Sequence, residues 1–300
     1  MEGGTLLVFG TGGQLGRSLL EAAARAGTPV TGLDRREADV TDAAALDRLL
    51  AAHAPVVVVN AAAYTAVDRA EAEPNLAFAI NRDGAGNVAR ACSRAGVPLV
   101  HVSTDYVFDG RRAGAYAEDH PAAPAGVYGA SKLAGEDAVR EILPGAHLVV
   151  RTAWVFSALG SNFVRTIWRA ARERDILRVV ADQRGSPTPA DDLADALVTM
   201  AVRLARDAGV AGLYHWAGAP PATWYDVACE VVEQARRHGP VATRAVEAIT
   251  TAEYPTAAAR PPNAVLDTRR AQGVFGLTPP DWRAGVERAV ARLAMDPPEG

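Results

Sequence analysis

TLLVFGTGGQLG, residues 5–16, contains a β-rich apolar run, Thr5–Phe9, followed by Gly10, Gly13 and Gly16 in the spacing G-x-x-G-x-x-G. The helical spacing of Gln14–Ala26 starts inside the same stretch. A strand that runs through such glycines into a helix suits phosphate binding. The glycines permit a tight turn, close backbone approach to a pyrophosphate and close helix–strand packing, while the helix N-terminus supplies amide donors. An ordinary glycine-rich strand–helix turn has the same spacing, and this chain has 27 glycines. The position directly after the first strand favours the phosphate reading.

Working outward, the pattern repeats. Pro29–Leu33 is a second apolar run ending at Asp34, Ala43–Ala52 is helix-like, and Pro55–Asn60 contains four consecutive valines. A run apolar at every position suits a strand buried on both faces, as in a parallel sheet. A helix around Leu76–Ala95, a run Val97–Val102, a helix around Ser131–Leu143 and a run His147–Thr152 follow. This alternation predicts an α/β fold, a Rossmann-like doubly wound parallel sheet, with ligands at the carboxyl ends of its strands. After about residue 155 the alternation breaks. Helical patterns at Asn162–Arg174, Asp191–Arg206 and Arg283–Leu293 surround a Gly/Pro loop, Gln183–Pro189. The expected organisation is a dinucleotide-binding domain over 1–155 and a smaller α/β substrate domain over 156–300, with part of 190–217 able to return to the first sheet.

Composition narrows the function classes. With 49% hydrophobic and 22% charged residues in 300, the chain has enough apolar surface to fold without disulfide or metal staples. Net charge is −4 and no stretch concentrates cations, which argues against a nucleic-acid partner. No apolar run approaches the ~20 residues of a membrane helix. The first residues lack the basic region and cleavage site of a secretory leader. Two cysteines, Cys92 and Cys229, suit a reducing cytoplasm. The six histidines show no metal-ligand spacing, so no metal site is expected; His101 reads as a core residue within a strand.

The sharpest constellation is Tyr128-x-x-x-Lys132 with Thr104 at the end of an earlier strand. Residues four apart share a helix face. An ammonium beside a phenol favours phenolate and lowers its pKa, bringing Tyr128 toward proton exchange at neutral pH. Thr104 can hydrogen-bond a carbonyl and stabilise oxyanion charge. Of the 31 basic residues only position 132 is lysine, a candidate for a role arginine cannot fill, though on composition alone chance survival explains it equally. Asp34 is placed to accept from an adenosine ribose, whereas Arg35 and Arg36 could neutralise a 2′-phosphate, so NADH and NADPH both stay open. Asp39 and Val40 are placed for adenine, though a solvated acidic loop explains Asp39 equally. In Asn60-Ala61-Ala62-Ala63-Tyr64 small residues would let a cofactor lie against the strand end, and helix-start packing explains them too. Trp154 either stacks on a substrate ring or packs between domains.

These segments resemble the extended short-chain dehydrogenase/reductases, and within them the dTDP-4-dehydrorhamnose reductases. The likeness runs through the glycine loop, Asp34, VNAAAYTAVD (59–68), HVSTDYVF (101–108), Tyr128–Glu136, RTAWVF (151–156), DQRGSPT (182–188), GLYH (212–215), RPPN (260–263) and PDW (280–282), almost end to end. It implies reduction of the C4 ketone of a dTDP-4-keto-6-deoxysugar, dTDP-4-dehydro-L-rhamnose in the first instance, with hydride from NADPH or NADH. Tyr128 would donate the proton, Lys132 would hold the nicotinamide ribose, and Thr104 would stand where serine is more usual. Gly10, Gly13, Gln14, Leu15 and Gly16, with Asp34, Arg35, Asp39, Val40, Ala62, Ala63 and Tyr64, would hold the cofactor. Asp105 and Trp154 would contact the sugar nucleotide, and Asn162 and Arg260 its diphosphate side. Some members place a carboxylate two residues after the last motif glycine to bind Mg²⁺ at a dimer contact. Ser18 stands there, so a homodimer stays open but one joined by Mg²⁺ is not expected. A reductase for another 4-keto-6-deoxysugar and a non-catalytic NADP-binding subunit are the alternatives.

Overall fold

The computed structural model describes residues 4–295. Met1–Gly3, read above for a leader, and the last five residues of the expected 156–300 region lie outside the described residues.

Four β/α repeats and a fifth strand build the first part of the chain: β1 (Leu6–Phe9), α1 (Gln14–Arg25), β2 (Val30–Leu33), α2 (Ala43–His53), β3 (Val57–Asn60), α3 (Val67–Ala72), α4 (Pro74–Phe78), α5 (Ala85–Ala95), β4 (Leu99–Thr104), α6 (Val127–Ile142) and β5 (His147–Thr152). Then come β6 (Val155–Phe156), α7 (Phe163–Glu173), β7 (Ile176–Val180), β8 (Arg184–Gly185), β9 (Thr188–Pro189), α8 (Ala190–Leu204), β10 (Gly212–His215), β11 (Ala222–Thr223), α9 (Trp224–Arg237), β12 (Ala245–Ile249), α10 (Arg269–Phe275) and α11 (Trp282–Met295).

The main sheet has six strands in the order β10-β5-β4-β3-β1-β2, and every neighbouring pair is parallel. The doubly wound sheet expected from the alternation is therefore present. Its apolar strands are divided residue by residue between two faces. Leu6, Val8, Val57, Val59, Val100, Leu148 and Val150 face a core shared with α1 and α8, whereas Leu7, Phe9, Val58, Leu99 and Val149 face the core of α2, α5 and α6. β10 completes the sheet beside β5, and α8 packs on α1, so the 190–217 stretch lies against the dinucleotide-type sheet. A separate core joins Phe156 to α7, β7, α9 and α11, with β7 and β12 paired in parallel.

One element departs from the sequence reading. The single helix expected over Leu76–Ala95 is α4 and α5 separated by a π-helical turn, Ala79–Gly84. That turn carries Asn81 inward, where it is buried. A π-turn accommodates an extra residue without breaking the helix and is found mostly where a side chain must be re-aimed.

Candidate active site

The strand order reverses direction between β1 and β3, because the chain passes from β2 on one side of β1 to β3 on the other. Ligands of open α/β sheets bind in the crevice outside the strand ends at that point. Here the backbone after β1 meets the backbone after β3. Gly10 has φ +91°, and a Cβ on it would lie 2.6 Å from the Ala62 amide nitrogen. A Cβ on Gly16 would run into the backbone of Gly10 and Thr11, so α1 leaves the turn at contact distance. Gly13 is different: its nearest neighbour would be the Gly10 carbonyl at 3.5 Å, an ordinary contact. The protein itself does not require a glycine there, and the smallness leaves room outside it. Gly13 is also the N-cap of α1 and has no side chain with which to close the first turn. The amides of Gln14, Leu15 and Gly16 thus stand at an uncapped helix N-terminus, the donor set a pyrophosphate needs.

Around this cradle the other cofactor candidates are held by the fold. Asp34 accepts from the amides of Arg36 (2.7 Å) and Glu37 (3.2 Å), which sets the turn after β2 and leaves Arg35 and Arg36 exposed beside it. Asp39 accepts from the Thr41 amide and hydroxyl, contacts that hold its carboxyl below the usual range. Val40 is buried and fills the space that a side chain on Gly84 would need. Ala62 donates its amide to Asn60, while the Tyr64 amide and carbonyl both bond the Asn81 side chain. Gln14 uses its side chain to join the halves of the molecule. Its amide group donates to the Val155 carbonyl and accepts from Ser157 and Asn162.

α6 presents Tyr128, Lys132 and Glu136 at successive turns of one face. Two glycines bring this helix in close: a Cβ on Gly129 would strike the Tyr106 carbonyl, and one on Gly135 the Asn81 carbonyl. Tyr128 consequently lies against Thr104 at the end of β4, with the Tyr106 ring edge-on at 5.5 Å. Burial pushes the Tyr128 phenol up to about 12, with the Thr104 hydroxyl lowering it and the Asp105 carboxyl adding to the rise. This reverses the expectation that Lys132 would lower it. The physical reason is visible in the lysine: Nζ is turned toward the sheet, 2.7 Å from the Val102 carbonyl and 3.4 Å from His101 Nε2. Burial also brings Lys132 down to about 8, opposed by the Glu136 carboxylate. Glu136 is itself held by a bidentate pair with Arg151 (2.6 and 2.8 Å) and by Ser103 at 2.5 Å, all of them buried.

On the substrate side the candidates divide. Asp105 is buried next to Thr104, which donates to its Oδ1 at 2.9 Å. Trp154, at φ +47°, stacks on Trp224 with ring centroids 3.6 Å apart and covers Gly185. One face of its ring is therefore occupied by protein. Asn162 caps α7 through Oδ1, and its Nδ2 is turned to Gln14 and the carbonyls of Ser157 and Leu159, so its amide is committed to the fold. Arg260 pairs with Asp68 at 2.7 Å and lies over the Tyr106 ring, while its Nη1 is buried with no partner among the described residues.

The family model for the RmlD substrate binding domain matches residues 4–295. A dTDP-4-dehydrorhamnose reductase of Escherichia coli K12 is 41% identical over 294 residues, covering 96% of this chain and 97% of that protein. The chain belongs to the dTDP-4-dehydrorhamnose reductases. Another dTDP-4-dehydrorhamnose reductase, from Aggregatibacter actinomycetemcomitans, is 41% identical over 94% of this chain and 97% of its own length. The crystal structure of dTDP-4-dehydrorhamnose reductase from Bacillus anthracis in complex with NADP superposes with a TM-score of 0.87 at 35% identity, over 96% of this chain and 99% of that one.

Placed in a dTDP-4-dehydrorhamnose reductase frame, several residues stand out that the sequence pattern did not single out. Asn81 links the Tyr64 backbone to Ser131, whose hydroxyl donates to the Tyr128 carbonyl, so the π-turn braces the start of α6. His101 connects Lys132 to Asn60 through its two ring nitrogens. Trp224 backs Trp154 and donates to Gln183 at 3.1 Å. Only Trp224 had a local signal, its place directly after Thr223, the N-cap of the capping box Thr223–Asp226 that starts α9.

Proposed function

We propose that this chain reduces the C4 ketone of dTDP-4-dehydro-β-L-rhamnose to the alcohol, giving dTDP-L-rhamnose, with NADPH or NADH as reductant. The observation that carries the reading is Tyr128 against Thr104 at the end of β4, with Lys132 on the same face of α6, in a chain of this family. The cradle fits a dinucleotide. The amides of the Gly10–Gly16 turn would hold its pyrophosphate, Asp34, Arg35, Asp39 and Val40 its adenosine half, and Ala62, Ala63, Tyr64 and Lys132 its nicotinamide half. When bound, the reduced nicotinamide supplies a hydride to C4.

The chain's own residues then manage the charge. As the C=O electron pair moves to oxygen, Tyr128 gives its hydroxyl proton to that oxygen, and solvent restores it. A phenol pushed up to about 12 is fully protonated at neutral pH, the form an acid must be in. Thr104 hydrogen-bonds the same oxygen and stabilises the developing charge. Lys132 offsets the negative charge left on Tyr128. Arg260, with its unpartnered Nη1, suits the diphosphate, and Trp154 on its Trp224 backing forms a flat wall for the sugar. No helix among the described residues is long and apolar enough to cross a membrane, and a cytoplasmic setting fits the two free thiols.

The test is an NADPH and NADH oxidation assay with dTDP-4-keto-6-deoxyglucose, with and without a 3,5-epimerase, and product identification by NMR. Oxidation that requires the epimerase and yields dTDP-L-rhamnose is expected. Oxidation without the epimerase would assign a different 4-keto-6-deoxysugar, and none with either would leave a cofactor-binding subunit.

A further inference from the structure

The hydroxyl of Thr104 has one proton and two lone pairs. One lone pair accepts from the Tyr106 amide at 3.2 Å, and the proton goes to Asp105 Oδ1 at 2.9 Å. An ionised carboxylate only accepts, so beside an ionised Asp105 the threonine has no proton to give. It then offers the phenol, and any carbonyl in front of it, nothing but its remaining lone pair. A protonated Asp105 reverses the chain. The carboxyl O–H donates to Thr104 Oγ1, the Tyr106 amide takes the other lone pair, and the threonine proton is released toward Tyr128 and the site.

We propose that Asp105 is a positioning residue that acts in its neutral, carboxylic-acid form, turning the Thr104 hydroxyl so that it donates into the site. This rests on the reductase reading above and assigns Asp105 a role distinct from sugar contact. Three observations support it. Asp105 is 2% exposed, and among the described residues its Oδ2 has no hydrogen-bond partner and no cation pairs with its carboxyl. The titratable groups around it are Tyr106 on its own segment and Tyr128 from α6, with Arg260 and Asp68 of α3 facing Tyr106. Burial accordingly moves the carboxyl up to about 7, against the lowering effects of Thr104 and of the Asp105 and Tyr106 amides. No proton is consumed by this arrangement: Tyr128 supplies the one that ends on the product, and the Asp105 proton only fixes direction.

The sign follows from the acid form being the active one. For the wild type, kcat/KM should fall about tenfold per pH unit above about pH 7, because kcat/KM reports the free enzyme. Asp105→Asn places an amide where the carboxyl was, and its N–H₂ donates at every pH, so the fall should begin only near about pH 8, where Lys132 gives up its charge. Thr104→Val should be slower throughout and likewise level between about pH 6.5 and about pH 7.5, because Asp105 works through the hydroxyl. A fall that still begins near about pH 7 in either variant, or a wild type level from about pH 6.5 to about pH 7.5, would overturn the proposal. Infrared difference spectra between about pH 6 and about pH 8.5 give a readout independent of turnover: loss of a carboxylic-acid carbonyl band is expected, and its absence counts against the proposal. Full turnover by Tyr128→Phe would instead sink the assignment of Tyr128 as the proton donor and leave the Asp105 spectra to stand or fall alone.

Discussion

Lys132→Met should remove activity and leave the protein at least as stable at pH 7. The ammonium is buried, and its contacts are one carbonyl, Val102, and one ring nitrogen of His101. A lysine brought from 10.5 to about 8 is a base whose charged form the fold disfavours. At about 1.4 kcal/mol per pKa unit, this corresponds to about 3 kcal/mol of destabilisation wherever the group is charged in both states. Methionine fills a similar volume without charge. Against that gain stands the Val102 carbonyl, which loses its donor at a cost of about 1–3 kcal/mol. The two nearly cancel at neutral pH, and the variant should unfold within about 2 kcal/mol of wild type, on the stable side. The pH dependence is the sharper part. Between about 8 and 10.5 the unfolded chain binds the lysine proton and the folded chain does not, so wild-type stability from this group rises with pH across that window. Tyrosines titrating near the upper end are common to both proteins and drop out of the difference. Urea unfolding at about pH 7 and about pH 10 measures it, with turnover assayed alongside. Turnover should fall by about a hundredfold or more. A variant destabilised by well over 2 kcal/mol, with a wild-type difference constant across the window, would refute the reasoning that burial dominates this lysine.

Three further outcomes follow from the same geometry. Glu136→Gln leaves Arg151 buried without its counter-charge and should cost about 3–5 kcal/mol in denaturant unfolding, whereas Arg94→Ala, breaking a half-exposed pair with Asp47, should cost about 1 kcal/mol or less. Gly16→Ala should lose both stability and cofactor binding, because its Cβ meets the backbone of Gly10 and Thr11. Gly13→Ala, with space inside the protein, should change stability by about 1 kcal/mol or less and still weaken cofactor binding in fluorescence titration. Arg260→Gln should raise KM for the sugar nucleotide about tenfold to a hundredfold with cofactor affinity unchanged, and an equal loss of both would place Arg260 outside the diphosphate site.

What could be read in the residues was whatever repeats with a period or depends on backbone freedom. The valines of β3 announce a strand buried on both faces, and the Gly10–Gly16 spacing marks a turn that the close approach of Ala62 requires. Side-chain direction was less legible. Tyr128 and Lys132 share a helix face, but the phenol and the ammonium do not meet as an isolated pair. The lysine turns to the Val102 carbonyl, a buried acceptor 2.7 Å away, and the phenol answers to burial instead. His101 has the strand position of a core residue and is one by burial, yet its ring nitrogens join Asn60 and Lys132, residues 41 and 31 positions away. No local pattern encodes such a partner.

The π-turn of Ala79–Gly84 shows why the site needed the fold to complete it. Helical periodicity on both sides of the turn is continuous enough to suggest one helix, and nothing in the apolar pattern marks the extra residue. Its consequence is tertiary. The turn directs Asn81 between the Tyr64 backbone and Ser131, and its carbonyl lies where a side chain on Gly135 would be. The wall that follows β3 and the helix that carries Tyr128 are thereby fixed to one another by a single buried amide. Regular i→i+4 winding through 79–84 would rotate Asn81 away from both contacts and leave the part-buried Tyr64 amide and carbonyl without partners, each at a cost of about 1 kcal/mol. The irregularity is therefore the lower-energy arrangement once Tyr64 and α6 are in place, and the position of the Tyr128 backbone depends on it through Ser131.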